Sequence, residues 1–190
     1  MQELEIKARD WIEGDPDPDT RSELQAIVAS GDMDALESRM GSSLQFGTAG
    51  IRGMVGAGSA RMNRAVVIRT TAGLAGYLQA QGHGEGPIVL GYDGRTSSRQ
   101  FAEDAAGVLV AAGMEVRYFE GTAPTPLVSF AARDPRAGAR VVAEARAVDR
   151  RLEVHWGLGL GDPADDPTRA GHPVEGQQVE EGAEGRHGRG

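Results

Sequence analysis

Ile88-Val89-Leu90-Gly91-Tyr92 runs straight into Asp93-Gly94-Arg95-Thr96-Ser97-Ser98, and this junction decides the fold. The first five residues are too few for a core helix and read as a buried strand. The polar turn after them leads into a helical pattern from about Ser98 to Ala112, closed by Gly113. Met114-Glu115-Val116-Arg117-Tyr118-Phe119 reads as the next strand. Thr122-Ala123-Pro124-Thr125-Pro126 leads into a short helix near Leu127–Ala132, and a further strand is expected over roughly Ala139–Val142. Strand–helix–strand–helix–strand with short loops predicts an α/β protein, a three-layer α/β/α sandwich with a mixed, mostly parallel sheet. Ligands of such sheets gather at the carboxyl ends of the strands, where Asp93–Ser98 and Thr122–Pro126 fall.

Working towards the N-terminus, Asn63 is placed to cap a long helix from about Arg64 to Gln81. Val67, Ile68, Ala72, Leu74, Ala75 and Leu78 recur at helical spacing within it. Gly82-His83-Gly84-Glu85-Gly86-Pro87 ends it. Residues 3–12 predict a first short helix with Leu4, Ala8, Trp11 and Ile12 on one side. Gly14-Asp15-Pro16-Asp17-Pro18-Asp19 interrupts, because each proline steers its predecessor away from helix. A second helix, roughly 20–30, is expected to be capped by Asp19 or Thr20, and a third by Asp32, running through Leu36 and Met40. Residues 1–40 are read as a helical extension that serves as scaffold.

Between these parts lies Leu44-Gln45-Phe46-Gly47-Thr48-Ala49-Gly50-Ile51-Arg52-Gly53, with glycines at every third position from Gly47 to Gly53. Glycine permits positive φ and leaves amide N–H groups uncovered. With Thr48 and Arg52 beside it, such a turn suits an anion such as phosphate. A plain tight hairpin would need the same glycines, and the residues alone leave both readings open. Met54 to Asn63 is expected to supply the return strand.

The 190 residues fit one domain with or without a tail, and they suffice for a real core. Zero cysteines exclude disulfides, cysteine-ligated zinc, iron–sulfur clusters and thiol nucleophiles, and fit a reducing cytoplasm. The formal charge of −8 argues against nucleic acid or an anionic membrane surface as the main partner. The N-terminal residues show no basic segment followed by an apolar run, so no signal peptide is expected. No apolar run nears the ~20 residues that cross a bilayer. A cytoplasmic protein is expected.

Beyond about residue 143 the character changes. Ala143-Glu144-Ala145-Arg146-Ala147-Val148-Asp149-Arg150-Arg151 is charged, and Gly157 to Gly190 holds nine glycines and three prolines. Residues 144–190 are therefore expected to be a flexible tail.

At this point the residues resemble the α-D-phosphohexomutases, the phosphoglucomutase and phosphomannomutase superfamily, in their large phospho-sugar mutase branch. The resemblance is carried by Trp11-Ile12-Glu13-Gly14-Asp15-Pro16-Asp17-Pro18, Leu44–Gly53, Ser59-Ala60-Arg61-Met62-Asn63, Gly91–Ser98 and Ala123-Pro124-Thr125-Pro126. It covers roughly residues 8–142, the family's first domain (domain I, here 41–143). It implies interconversion of hexose 1- and 6-phosphates through a phosphoserine enzyme and a bisphosphorylated intermediate. On the matching positions, it makes Thr48, Gly50, Arg52 and Gly53 a phosphate-binding set, with Arg52 neutralising the transferring phosphoryl group. Asp93 and Arg95 look like the family's structural Asp-x-Arg pair. Ser97 and Ser98 are expected as exposed hydroxyls that cap the following helix, and Thr125 as a turn residue at the site edge.

The chain departs from the pattern after Val142. The resemblance places a Thr-Ala-Ser-His-Asn-Pro loop there, whose serine carries the phosphate; here Ala143-Glu144-Ala145-Arg146-Ala147 follows, and no serine occurs after Ser129. The nucleophilic serine is thus unassigned. The family's Mg²⁺ loop, Asp-Gly-Asp-x-Asp-Arg, has no counterpart either, so no metal ligand is assigned. Ala147 to Gly157 loosely follows the Asp-Asn-Gly-Tyr-Lys-Val-Tyr-Trp-Gly stretch that succeeds the serine loop, as a degraded or misread mutase sequence would. His83, His155, His172 and His187 are read as solvated.

Two functions are carried forward. The first is the N-terminal domain of a phospho-sugar mutase, inactive as an isolated chain. The alternative is a non-catalytic domain that binds a sugar phosphate or associates with a full-length mutase. An uncovered face of the domain is expected to favour self-association. An unrelated nucleotide-binding domain is disfavoured, because there is no Walker lysine pattern and no Gly-x-Gly-x-x-Gly turn after a strand.

Overall fold

A computed structural model describes residues 2–47, 50–82, 86–133, 141–148 and 151–158. Three helices open the chain: α1 (Gln2–Gly14), α2 (Pro18–Ser30) and α3 (Met33–Met40). A hairpin of β1 (Phe46–Gly47) and β2 (Gly50–Met54) follows. Then come α4 (Arg64–Ala80), β3 (Ile88–Tyr92), α5 (Ser98–Ala111), β4 (Val116–Tyr118) and α6 (Thr125–Arg133). β5 (Val141–Val148) and β6 (Arg151–Leu158) complete a six-stranded sheet in the order β1-β2-β6-β5-β3-β4.

β3 is the centre of the parallel half, flanked by β4 and β5. Its residues are all buried, and their alternation assigns the two helical layers. Ile88, Leu90 and Tyr92 enter the clusters that hold Ala65, Val66, Leu78, Phe101, Ala105 and Leu109 of α4 and α5. Val89 packs instead with Val128 and Ala132 of α6. Gly91 faces α6 too, since a Cβ there would lie 2.5 Å from Val128 Cγ2. Two-residue strand periodicity thus produces the α/β/α layering. Arg64 ties α4 to α5 through a bidentate pair with Asp104, at 2.8 and 2.7 Å. That contact and the charge of Asp104 hold the guanidinium above its ordinary pKa.

The other half of the sheet is antiparallel, with β5–β6, β6–β2 and β2–β1 pairings. It overturns two expectations. The return strand of the glycine hairpin is Gly50–Met54 itself, whereas residues 55–62 form a loop with a single Val55–Met62 bridge. Residues 144–148 and 151–158, expected in the tail, are strands, so β5 crosses the expected boundary at 143. Ala143-Glu144-Ala145-Arg146-Ala147 and Leu152-Glu153-Val154-His155-Trp156 alternate in character at every residue. That is the period of a strand. The segment gains its backbone partners from neighbours on both sides, β3 and β2, and so needs no large apolar content of its own. Residues 159–190, Thr48 and His83 lie outside the described residues.

The opening helices are not a loose appendage. Ala8, Trp11, Leu24, Leu36 and Met40 share one buried cluster with Ile51, Met62, Val67 and Leu90. The Arg69 guanidinium lies 4.4 Å from the centre of the Trp11 ring, joining α1 to α4. Asp32 caps α3 as expected, accepting the Ala35 N–H. The cap of α2 is Asp17, rather than Asp19 or Thr20. Pro18 then occupies the first helical position, where its missing N–H costs nothing. The Thr20 hydroxyl donates to buried Asp15 at 2.7 Å instead.

Candidate functional site

The hairpin β1–β2 carries the glycine-rich stretch. Gly47 stands opposite Gly50, and Gly50 takes a φ of 88°, which favours glycine. Arg52 is exposed on β2, whereas its neighbour Ile51 is buried. At Gly53 a side chain would sit 2.9 Å from the Leu44 methyls, so this glycine makes room for the hairpin's own entry segment. Thr48 falls outside the described residues.

Ladder register locates Arg52 relative to the parallel half. Ile51 pairs with Val154, Val154 with Ala145 and Ala145 with Tyr92, which forms one row across β2, β6, β5 and β3. β2 and β3 run in the same direction, so Arg52 stands level with Asp93. Three strand spacings separate them, about 14 Å. Arg52 therefore belongs to the carboxyl end of the parallel strands, the end where ligands of such sheets bind. In its own row, Arg52 is opposite Glu153, and Glu153 is opposite Arg146.

The loop after β3 is organised by Asp93. Its Oδ1 accepts the Ser98 hydroxyl at 2.6 Å and the Arg95 N–H at 3.2 Å, and Oδ2 lies 3.5 Å from Arg95 Nε. Ser98 is fully buried, contrary to its expected exposure, because its hydroxyl turns back into the loop to reach Asp93. Ser97 occupies the cap position but makes no capping bond, since its backbone is left-handed at φ 72°. The loop after β4 is fastened alongside. The Ala123 N–H donates to Tyr92 O at 2.9 Å, and the Tyr92 hydroxyl donates to Glu120 O at 2.9 Å. A Cβ on Gly94 would touch Thr122, so the two loops are neighbours. Tyr92 stacks on Tyr118 at 5.6 Å, and burial, helped by the charges of Tyr92 and Glu103, pushes the Tyr118 phenol up to about 12.

The base of the hairpin is a part of the site that local sequence does not announce. Ser59 O accepts the Leu44 N–H at 3.2 Å, and the Ser59 hydroxyl donates to Ser42 O at 2.7 Å. The Met62 N–H donates to Met54 O at 2.8 Å. Asn63 is buried; its Oδ1 caps α4 through Val66 N–H, and its Nδ2 donates to Gly56 O and Gly58 O. The asparagine is predictable as a cap, but its hold on the loop is not. Among the described residues, no group of three or more histidine, aspartate or glutamate side chains is placed to hold a metal ion. Also among the described residues, no helix is long and apolar enough to cross a membrane.

The chain thus combines a parallel α/β core with a glycine hairpin that stands level with the carboxyl end of its parallel strands. Residues 43–146 match the family model for phosphoglucomutase/phosphomannomutase, alpha/beta/alpha domain I, and the chain belongs to that family. It is 30% identical over 167 residues to phosphopentomutase of Mus musculus, covering 82% of this chain and 27% of that protein. It is 36% identical over 155 residues to phosphoribomutase of Saccharomyces cerevisiae, covering 78% and 25%. Against glucose 1,6-bisphosphate synthase of Mus musculus it is 31% identical over 168 residues, covering 83% and 27%. The crystal structure of a phosphomannomutase-like protein from Thermus thermophilus superposes with a TM-score of 0.55 at 28% identity, covering 62% of this chain and 26% of that one. The chain thus spans about a quarter of the length of the relatives it matches. An alignment over 83% of 190 residues reaches into β6 wherever it begins. The similarity to these relatives therefore extends past Val142.

Proposed function

We propose that this chain supplies the phosphate-facing first domain of a phospho-sugar mutase, acting on a pentose or hexose phosphate. The relatives named for phosphopentose, phosphoribose and glucose bisphosphate chemistry support that substrate class. The observation that carries the reading is the position of Arg52, exposed and level with the Asp93 loop at the carboxyl end of the sheet. Phosphoryl transfer depends mostly on positioning and neutralising charge. An always-protonated guanidinium supplies the second of these. Asp93 and Arg95 hold the neighbouring loop and take no part in the chemistry. In a whole mutase, Mg²⁺ would come with ligands from outside the residues described. The folded body comprises the helical stretch 1–40, the α/β stretch 41–143 and the strands beyond it. A cytoplasmic setting fits the cysteine-free composition.

One feature favours a second reading for the 190-residue chain by itself. β5 runs unbroken from Val141 to Val148 and pairs with β6, where the resemblance places the nucleophilic serine loop. We infer that the chain alone binds a sugar phosphate without turning it over. A coupled assay from glucose 1-phosphate to glucose 6-phosphate is expected to show no turnover. Activity that is abolished by Arg52→Ala would overturn this inference.

A further inference from the structure

We propose that Glu23, on the N-terminal helices, is a positioning residue that clamps the base of the phosphate-facing hairpin. The inference rests on the reading of that hairpin given above. Glu23 divides its carboxylate between two tasks. Oε1 accepts from Arg39 Nε and lies 2.9 Å from Arg39 Nη2, whereas Oε2 accepts the backbone N–H of Ala57 at 3.0 Å. A single side chain of α2 thus joins α3 to the loop 55–62.

Arg39 completes the clamp with its backbone. Its carbonyl accepts the Ala60 N–H at 2.9 Å. It lies so close to Gly58 that a Cβ there would overlap it, and Gly58 also needs a φ of 92°. A Cβ added at Gly56 would lie 3.6 Å from both Glu23 carboxylate oxygens, so the carboxylate stands beside this turn of the loop. Arg61 reaches back to the Ser38 hydroxyl at 2.6 Å, and Asn63 holds the loop from the α4 side. The same loop fixes both ends of the hairpin, Leu44 through Ser59 O and Met54 through Met62 N–H. Arg52 sits two residues before Met54. The orientation of Arg52 is therefore set by a chain of contacts that starts at Glu23. A charge-assisted bond to a backbone amide is strong and directional, so its loss frees the loop locally before it unfolds the domain.

The test uses the full 190-residue chain with Glu23→Ala, Glu23→Gln, Glu23→Asp and Arg52→Ala. Amide hydrogen exchange is measured without ligand, and affinity for inorganic phosphate and for glucose 1-phosphate by calorimetry. In Glu23→Ala, exchange across Ile51–Met62 is expected to accelerate about tenfold or more, with Leu90 and Leu109 unchanged. Phosphate affinity should fall several-fold. Glu23→Gln keeps an acceptor for Ala57 N–H and should restore most of both. Unchanged exchange in the hairpin of Glu23→Ala would overturn the clamp, as would equal acceleration at Leu90 and Leu109. If Glu23→Ala fails to fold, Glu23→Asp decides, since it keeps the charge but is one methylene too short to reach both Arg39 and Ala57: unchanged protection of Met54 and Ala57 in that variant contradicts the proposal. If wild type binds neither phosphate compound, the reading of the hairpin as phosphate-facing fails, while the exchange data still decide the clamp.

Discussion

The Ser98 hydroxyl donates to Asp93 Oδ1 at 2.6 Å across the turn that ends β3, and Ser98 is fully buried. The bond closes the loop at the carboxyl end of the central strand. The same carboxylate accepts the Arg95 N–H, so Asp93 holds both ends of the turn.

The two serines of this turn should therefore separate cleanly. Ser98→Ala removes a buried bond to a charged acceptor and is expected to cost about 1.5–3 kcal/mol in urea unfolding. Ser97 makes no capping bond and sits at φ 72°. Ser97→Gly relieves that backbone and is expected to stabilise by about 0.5–1 kcal/mol. A neutral Ser98→Ala beside a destabilising Ser97→Gly would contradict the capping geometry described.

Gly91 is a close approach of the sheet to α6, and Gly91→Ala would press its methyl onto Val128. Overpacking of this kind costs about 1–3 kcal/mol. Val128→Ala should recover part of the loss when combined with it, so a double-mutant cycle on thermal unfolding should show strong coupling. Strict additivity would mean that α6 does not lie on Gly91.

Tyr118 carries a pH dependence. Its phenol titrates at about 12 in the folded chain, raised chiefly by burial, against about 10 when unfolded. The folded state thus favours the neutral phenol. The resulting stability is fully present below about pH 10 and is lost as pH rises towards 12. Tyr118→Phe keeps the ring on Tyr92 but removes the titration, so its alkaline loss of stability should be shallower. A tyrosinate absorbance titration of the folded wild type should show one phenol titrating late. An unchanged alkaline slope in the variant would contradict this.

Much of this architecture could be read from local signals. Asp32 and Asn63 announce helix starts by their own chemistry, and Ile88–Tyr92 announces a buried strand by its length and apolar character. The β5–β6 hairpin is obscured because its small alanines and alternating charges resemble a solvated tail; only pairing with β3 and β2 makes them a ladder. Ser98 looks exposed because a polar residue at a helix start usually is, and nothing local shows that Asp93 turns back to receive it. The clamp at Glu23 is invisible for a similar reason. Its partners, Arg39 and Ala57, lie 16 and 34 residues away.

On the proposed reading Arg52 carries the phosphate-facing role of the hairpin, and calorimetric titration of the wild-type chain and Arg52→Ala with glucose 1-phosphate tests that role most directly. Wild type should bind, with affinity that weakens as salt is raised. Arg52→Ala should lose about tenfold or more, as expected for removal of a charge-assisted contact to phosphate. Equal binding by the two proteins, or no heat from either, would contradict the claim that this hairpin faces a phosphate.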